Sequence, residues 1–395
     1  MTRNQRLGNS RKWFMLALGM LAQTASAVFI NGMAFLIPAL HDDRGLSLAH
    51  AGMLVALPTV GVMLTLIAWG VLTDRVGERR VLILGLTLTS AASVTAYFAS
   101  SFFFLGLCLF LGGMAAASAN SASGRVVVGW FPPERRGLAM GIRQMSLPLG
   151  VAIGSLTIPT IARDYGIGEA LLVPAVICAL AAVVCVGIVD PPRPSFDLAT
   201  QRGLLDNPYR GNGHLWRIHL SSMLLVVPQT VVWTFSLVWL MTDQGWSAAT
   251  AGFFVTASQV AGALSRTGVG ALSDRLSSRM RPLRWVAIAS TSSMFVLALS
   301  TWMDWRISVF VLFVAAVLTV APNGLAFTAV AEYSGPFWSG RALGTQNTGQ
   351  YLVGSLVPPV FGALAAVSFP FAFLISAVLP ALSVPLVPLD QEANE

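Results

Sequence analysis

Residues 47–75, SLAHAGMLVALPTVGVMLTLIAWGVLTDR, and residues 247–275, SAATAGFFVTASQVAGALSRTGVGALSDR, are two copies of one segment. Set 200 positions apart, they align without a gap and share eleven of 29 residues. The identities are Ser47/Ser247, Ala49/Ala249, Ala51/Ala251, Gly52/Gly252, Val55/Val255, Val60/Val260, Leu64/Leu264, Gly70/Gly270, Leu72/Leu272, Asp74/Asp274 and Arg75/Arg275. Apolar composition alone does not keep a glycine, an aspartate and an arginine in register. At an offset of 203, Asn120 meets Asn323, Gly137 meets Gly340 and Gly141 meets Gly344. A repeat of half the chain length means one structural unit used twice, in parallel. Between the copies lies the longest polar stretch, 190–217, which carries Pro191, Pro192, Pro194 and Pro208 and reads as a linker. The expected division is a first bundle over 1–189, a linker over 190–217 and a second bundle over 218–395.

Composition says what solvent the units sit in. Of 395 residues, 55% are hydrophobic and 10% charged, with mean hydropathy +0.72. A soluble domain carries about 25% charged residues. That difference excludes a cytosolic enzyme, and 11 Trp with 22 Phe exclude a disordered chain. At about 20 residues per crossing, the apolar runs predict spans near 13–40, 48–72, 81–100, 102–130, 138–162, 168–189, 216–241, 249–272, 284–302, 306–332, 341–367 and 370–388. The runs are continuous, whereas a membrane β-barrel alternates in units of about ten residues. The expected class is an all-α membrane protein with twelve transmembrane helices in two six-helix bundles.

Charge then orients the chain. Alternate connections hold 18 of the 24 basic residues: Arg3, Arg6, Arg11, Lys12, Arg75, Arg79, Arg80, Arg135, Arg136, Arg193, Arg202, Arg210, Arg217, Arg275, Arg279, Arg281, Arg284 and Arg341. The opposite side holds three, Arg44, Arg163 and Arg306. The positive-inside rule places both termini in the cytoplasm. The net charge of +7 is thereby a topology signal, and a nucleic-acid partner is not expected. Ala25-Ser26-Ala27 mimics a secretory cleavage site, but apolar character runs on through Ile37, so an uncleaved first span is expected. Cys108, Cys178 and Cys185 sit in apolar runs and read as lipid-facing or packing residues. The four His lie at helix ends or loops without metal-ligand spacing, so neither an enzyme nor a metal site is expected.

The first copy continues as Gly70-Val71-Leu72-Thr73-Asp74-Arg75-Val76-Gly77-Glu78-Arg79-Arg80, and the second as Gly270-Ala271-Leu272-Ser273-Asp274-Arg275. The first stretch resembles the G-x-L-x-D-R-x-G-R-[KR] loop of the major facilitator superfamily, departing from it at Glu78, where a basic residue is usual. The second departs at Ser277 and Ser278. The resemblance implies a twelve-helix major facilitator fold of 6+6 design, working by alternating access, with substrate held near mid-membrane between the halves. It implies a multi-pass protein of the cell (inner) membrane and a monomer whose partners are a small molecule and the bilayer. No cofactor is implied, and the driving force is H+ or an antiported anion. Gly70, Asp74, Arg75, Gly77, Arg79, Gly270, Asp274 and Arg275 become gating candidates. In physical terms, Gly70 permits close helix approach, and Asp74 can meet an arginine or a helix N-terminus.

Three arginines remain inside spans: Arg125, Arg143 and Arg266. No carboxylate lies deep in a span; only Glu332, at the inner end of the tenth, is arguable. Buried charges ordinarily need partners, and a substrate anion would supply the missing one. Arg266 lies eight residues before Asp274, about 12 Å along a helix and so near the midplane. Its counterpart is Leu66, so the shared scaffold does not require it. Arg266-Thr267-Gly268-Val269-Gly270 resembles the R-x-x-x-G of the monocarboxylate and oxalate:formate branches, which implies carboxylate binding. Arg143-Gln144 and, in the second copy, Gln346-Asn347 offer further donors. That span has no basic residue of the oxalate:formate kind, which favours a singly charged anion. Arg125, which precedes Trp130-Phe131 and Arg135-Arg136-Gly137, fits a gate contact with Asp74. Asn31, Asn120 and Asn323 fit a cavity lining or polar links between helices. The competing function is proton-coupled efflux of drugs or other hydrophobic or neutral solutes.

Overall fold

The computed structural model describes residues 8–42, 44–210 and 213–389. Arg3 and Arg6, counted above among the cytoplasmic charges, lie outside the described residues. Among the described residues the regular structure is helical, with no strand. The α-helices are α1 (Asn9–Gly32), α2 (Ile37–Asp42), α3 (Leu48–Val76), α4 (Glu78–Tyr97), α5 (Phe102–Trp130), α6 (Pro133–Arg143), α7 (Ser146–Asp164) and α8 (Ile167–Val184). They continue with α9 (Phe196–Gln201), α10 (His214–Thr242), α11 (Ala248–Arg275), α12 (Met280–Trp302), α13 (Ser308–Val320), α14 (Pro322–Val367) and α15 (Phe369–Ser383).

Nine stretches of the described residues are long and apolar enough to cross a bilayer, the last being Ser308–Val367 at 60 residues. That length is two crossings, and Gly335 breaks it with φ 70° and ψ 179°. The more polar α11 and the shorter α15 complete the twelve. Several spans are composite. The first is α1, a short 3-10 turn over Met33–Leu36, and α2; the fifth is α6 and α7.

Local chemistry explains why the duplicated segments begin and end where they do. Ser47 and Ser247 cap α3 and α11, their hydroxyls accepting from the N–H of His50 at 3.3 Å and of Thr250 at 3.2 Å. At the other end, Gly77 leaves α3 at φ 96°, and its counterpart Ser277 keeps a left-handed φ of 50°. A side chain there costs about 1–2 kcal/mol, so the second copy holds the turn despite its sequence.

Packing groups the chain differently from the duplication. Of the described residues, one compact unit comprises those within 8–131, 145–206 and 334–348; the other comprises those within 132–144, 207–333 and 349–389. The exchanged pieces are α6, which packs on α11, and the segment 334–348, which packs on α3. The 190–206 part of the linker belongs to the first unit and includes α9. In the first unit the buried core runs through Leu18, Phe29, Leu82, Leu86 and Leu109; in the second it includes Val231, Trp239, Leu297, Leu312 and Phe373. Outward-facing apolar side chains are abundant, with Phe103 82%, Phe253 78% and Leu156 77% exposed. Lipid accepts such a surface and water does not. Cys108, Cys178 and Cys185 are buried, so they are packing residues and the lipid-facing alternative is removed.

Candidate functional site

In the second unit, Arg266 on α11 is 4% exposed. Its Nε donates to the Val320 carbonyl at 3.2 Å and its Nη1 to the Gln144 carbonyl at 3.3 Å. Both acceptors sit at helix interruptions: α13 ends at Val320 before Pro322, and α6 ends just before Gln144. Carbonyls at the last residues of a helix lack their usual intrahelical donors, so the breaks create the acceptors that hold the guanidinium. No carboxylate forms an ion pair with Arg266 among the described residues.

Arg143, 3% exposed, closes α6 and donates from Nη1 to Gln144 Oε1 at 3.1 Å, with Met140 Sδ at 3.9 Å. One glutamine therefore receives both arginines, one on its backbone carbonyl and one on its side chain. Tyr351 lies within electrostatic range of Arg143. Nearby on α14, Asn323 Nδ2 donates to Gln229 Oε1 at 3.0 Å, and Gln350 Nε2 donates to Asn323 Oδ1 at 3.2 Å and to Ser222 Oγ at 2.6 Å. This unit thus offers buried cationic donors beside half-buried side-chain amides, the chemistry that binds an oxyanion.

The aspartates of the repeated loop form matched clamps. In the first unit, Asp74 Oδ1 accepts from the N–H of Gly340 at 2.8 Å, and Oδ2 accepts from the N–H and Nε of Arg341, each at 3.0 Å. In the second, Asp274 takes the N–H of Gly137 at 2.9 Å and of Leu138 at 2.8 Å. Arg279 Nη1 donates to Asp274 Oδ1 at 2.6 Å, and Arg279 also binds Glu332, which pairs in turn with Arg136 at 3.3 Å. Glycines make these approaches possible. A Cβ on Gly70 would stand 2.3 Å from the Gly340 carbonyl oxygen, and one on Gly270 would stand 2.2 Å from that of Gly137. One turn away, Gly344 and Gly141 face the backbones of Leu66 and Arg266 in the same manner.

Arg125 lies beside two carboxylates, Asp74, the gate contact expected from the sequence, and Glu78, which was not expected. Its Nε lies 2.9 Å from Glu78 Oε1 and its Nη1 lies 3.6 Å from Asp74 Oδ1. The Glu78 contact is an ion pair without hydrogen-bond alignment. Glu78, the residue that departs from the loop pattern, is fully buried. Arg193 from the linker lies 3.6 Å from Glu78 Oε1 and donates to the carbonyls of Thr73 and Asp74. The motif's own arginines stand apart: Arg75, Arg79 and Arg275 are exposed, and only the backbone N–H of Arg79 is engaged, by Asp190.

The remaining candidates divide by unit. Asn120 accepts from Gln23 Nε2 at 2.8 Å in the first unit, where Ser123 also donates to Gln23 Oε1 at 3.1 Å. Asn31 Nδ2 donates to Ala27 at 3.2 Å and Asn347 Nδ2 to Leu343 at 2.8 Å, each within its own helix. Gln346 is buried in the first unit. The geometry therefore groups Arg266, Arg143, Gln144 and Asn323 in one unit and Asn31, Asn120, Gln346 and Asn347 in the other. Sequence reasoning passed over Glu78, Arg193, Arg341, Arg279, Gln23, Gln229 and Gln350. Gln23 and Gln229 had a signal: they stand 206 apart, and each meets the equivalent asparagine.

Comparison with known proteins agrees with this architecture. A family model described as Major Facilitator Superfamily matches residues 13–358. The chain is 49% identical to the "Uncharacterized MFS-type transporter Rv2994" of Mycobacterium tuberculosis over 97% of its own length and 86% of the relative's. It is 26% identical to the "Probable sulfoacetate transporter SauU" of Cupriavidus necator, over 87% and 85%. It is 28% identical to the "Probable nitrate/nitrite transporter NarK2" of Mycobacterium tuberculosis, over 81% of each chain. Among solved structures, the proton:xylose symporter XylE superposes with TM-score 0.79 at 16% identity, covering 97% of both chains.

Proposed function

The chain belongs to the Major Facilitator Superfamily and is a multi-pass membrane transporter rather than an enzyme; we propose that its substrate is a small organic anion such as a monocarboxylate. The observation that carries this reading is Arg266. It is a permanent cation, buried on a membrane-spanning helix, and its partners are two neutral carbonyls. Carbonyl dipoles hold a guanidinium without neutralising it, so the site keeps an unmet preference for negative charge. Arg143 and Gln144 add donors beside it. Relatives named for sulfoacetate and for nitrate or nitrite, all anions, support the same class.

In this reading Asp74 and Asp274 are gate elements. The clamps join α3 to 334–348 and α11 to α6 through backbone N–H groups at glycine-mediated close approaches. Transport by alternating access requires them to part and re-form. The two sequence halves, 1–189 and 218–395, are then the moving elements, with both termini cytoplasmic.

A thermal-shift screen of the purified protein tests the substrate class. Small carboxylates are expected to raise the unfolding midpoint progressively with concentration, while neutral sugars and hydrophobic cations leave it unchanged. Stabilisation by the cations alone would reject the anion assignment. In proteoliposomes, an inward pH gradient and an internal anion load separate H+ symport from exchange.

A further inference from the structure

Two adjacent basic residues of the first copy's loop, used by neither clamp, share a cavity. Arg79 and Arg80 are exposed at the start of α4, and neither guanidinium has a hydrogen-bond or ion-pair partner among the described residues. With Val76, Ile83 and Asp190 they line a cavity of about 520 Å³. Its one carboxylate, Asp190, has Oδ1 engaged by the backbone N–H of Arg79 at 2.7 Å. Two cations against one carboxylate leave the cavity positive.

A second feature continues from it. Arg80, Leu84 and Leu88 recur four residues apart on α4, so they share one face. Leu84 is 47% and Leu88 46% exposed. An open apolar track ending in a basic cavity has the amphipathic layout of a phospholipid, and basic pockets at the cytoplasmic ends of membrane helices bind anionic headgroups. A free phosphate ester would use the arginines and gain nothing from Leu84 or Leu88.

We propose that this cavity holds the headgroup of an anionic phospholipid, with Arg79 and Arg80 on its phosphate and an acyl chain along Leu84 and Leu88. The proposal rests on the cytoplasmic orientation of the α3–α4 loop and is independent of the transported substrate. The lipid would adjoin the gate, because Asp190 lies three residues before Arg193, which donates to the carbonyls of Thr73 and Asp74.

The test titrates the full chain, purified in neutral detergent, with phosphatidylglycerol, with phosphatidylcholine of the same chains, and with glycerol 3-phosphate. Retained lipid is counted by native mass spectrometry, and the unfolding midpoint is followed in parallel. Phosphatidylglycerol is expected to be retained and to raise the midpoint, with phosphatidylcholine and glycerol 3-phosphate both weaker. Each arginine near an anionic surface contributes roughly fivefold in affinity, so Arg79→Gln/Arg80→Gln should weaken phosphatidylglycerol about 30-fold and Arg80→Gln alone about fivefold. Equal retention of the two lipids, or undiminished phosphatidylglycerol binding by these variants, overturns the site. Glycerol 3-phosphate binding as tightly as the lipid overturns the lipid as occupant.

Discussion

Replacing Gly70 by alanine puts a methyl carbon 2.3 Å from the Gly340 carbonyl oxygen, 2.6 Å from its carbon and 2.9 Å from the Arg341 Cα. All three neighbours are backbone, so no rotamer can relieve the clash. Bringing the closest contact to the tolerated 3.0 Å requires α3 and the 334–348 segment to separate by at least about 0.7 Å. The same displacement stretches the Asp74 bonds to Gly340 and Arg341 from 2.8 and 3.0 Å to about 3.5 and 3.7 Å, where little hydrogen bonding survives. A charge-assisted bond contributes about 1.5–3 kcal/mol. The low end applies here, since the Arg341 side chain is 29% exposed. Two such bonds give about 3 kcal/mol, or roughly a hundredfold shift away from the clamped arrangement. Ser339, 2% exposed and inside the clamped segment, reports it when changed to cysteine, since the native cysteines are buried. Maleimide labelling of Ser339→Cys should accelerate by about that factor in Gly70→Ala. It should not change in Gly52→Ala, where a methyl meets nothing within 4 Å on the same helix. Labelling at the parental rate in membrane-inserted Gly70→Ala would refute the close-approach argument.

Other consequences follow from the same contacts. Asp74→Asn and Asp274→Asn each remove a charge from a clamp, so both should slow transport at least tenfold with insertion intact; wild-type rates in both would remove the gate assignment. Glu78→Lys restores the family's usual charge but sets a third cation among Arg125 and Arg193, which lie 2.9 and 3.6 Å from Glu78. Breaking a buried pair costs about 3–5 kcal/mol, so this variant should unfold at clearly lower temperature than Glu78→Leu/Arg125→Leu, and the reverse order would contradict the pairing. A reporter fused after Glu395 that is active only in the cytoplasm should be active, and one active only after export should be silent; the opposite pattern would invert the topology.

The fold was legible because a membrane helix announces itself in composition and because the duplication repeats caps as well as apolar residues. Ser47/Ser247 are identical because both cap helices, and Gly70/Gly270 because both face backbone. Composite spans were harder to see: nothing apolar distinguishes the helix breaks at Gln144 and Ala321, yet those breaks supply the carbonyls that hold Arg266. Long-range partners were hidden for a different reason. Arg193, Arg341 and Arg279 looked like loop charges obeying the positive-inside rule, and only tertiary packing carries them to Asp74, Glu78 and Asp274. Glu78 read as a departure from a pattern, but its burial against Arg125 makes it part of the network. The exchange of α6 and 334–348 between packing units has no sequence signature apart from the glycine pairs that permit it.

The central claim is that Arg266 holds a substrate anion, and uptake in proteoliposomes tests it most directly. A guanidinium at that depth costs about 3 kcal/mol on insertion, and Leu66 shows that the equivalent place in the other copy needs no charge. Arg266→Lys keeps the charge and loses the planar fork; Arg266→Gln loses both. With each protein reconstituted at equal density, uptake of a labelled monocarboxylate should fall in the order wild type, Lys, Gln, with Gln near background. Equal uptake by all three would contradict the anion assignment and leave efflux of neutral or hydrophobic solutes as the better account.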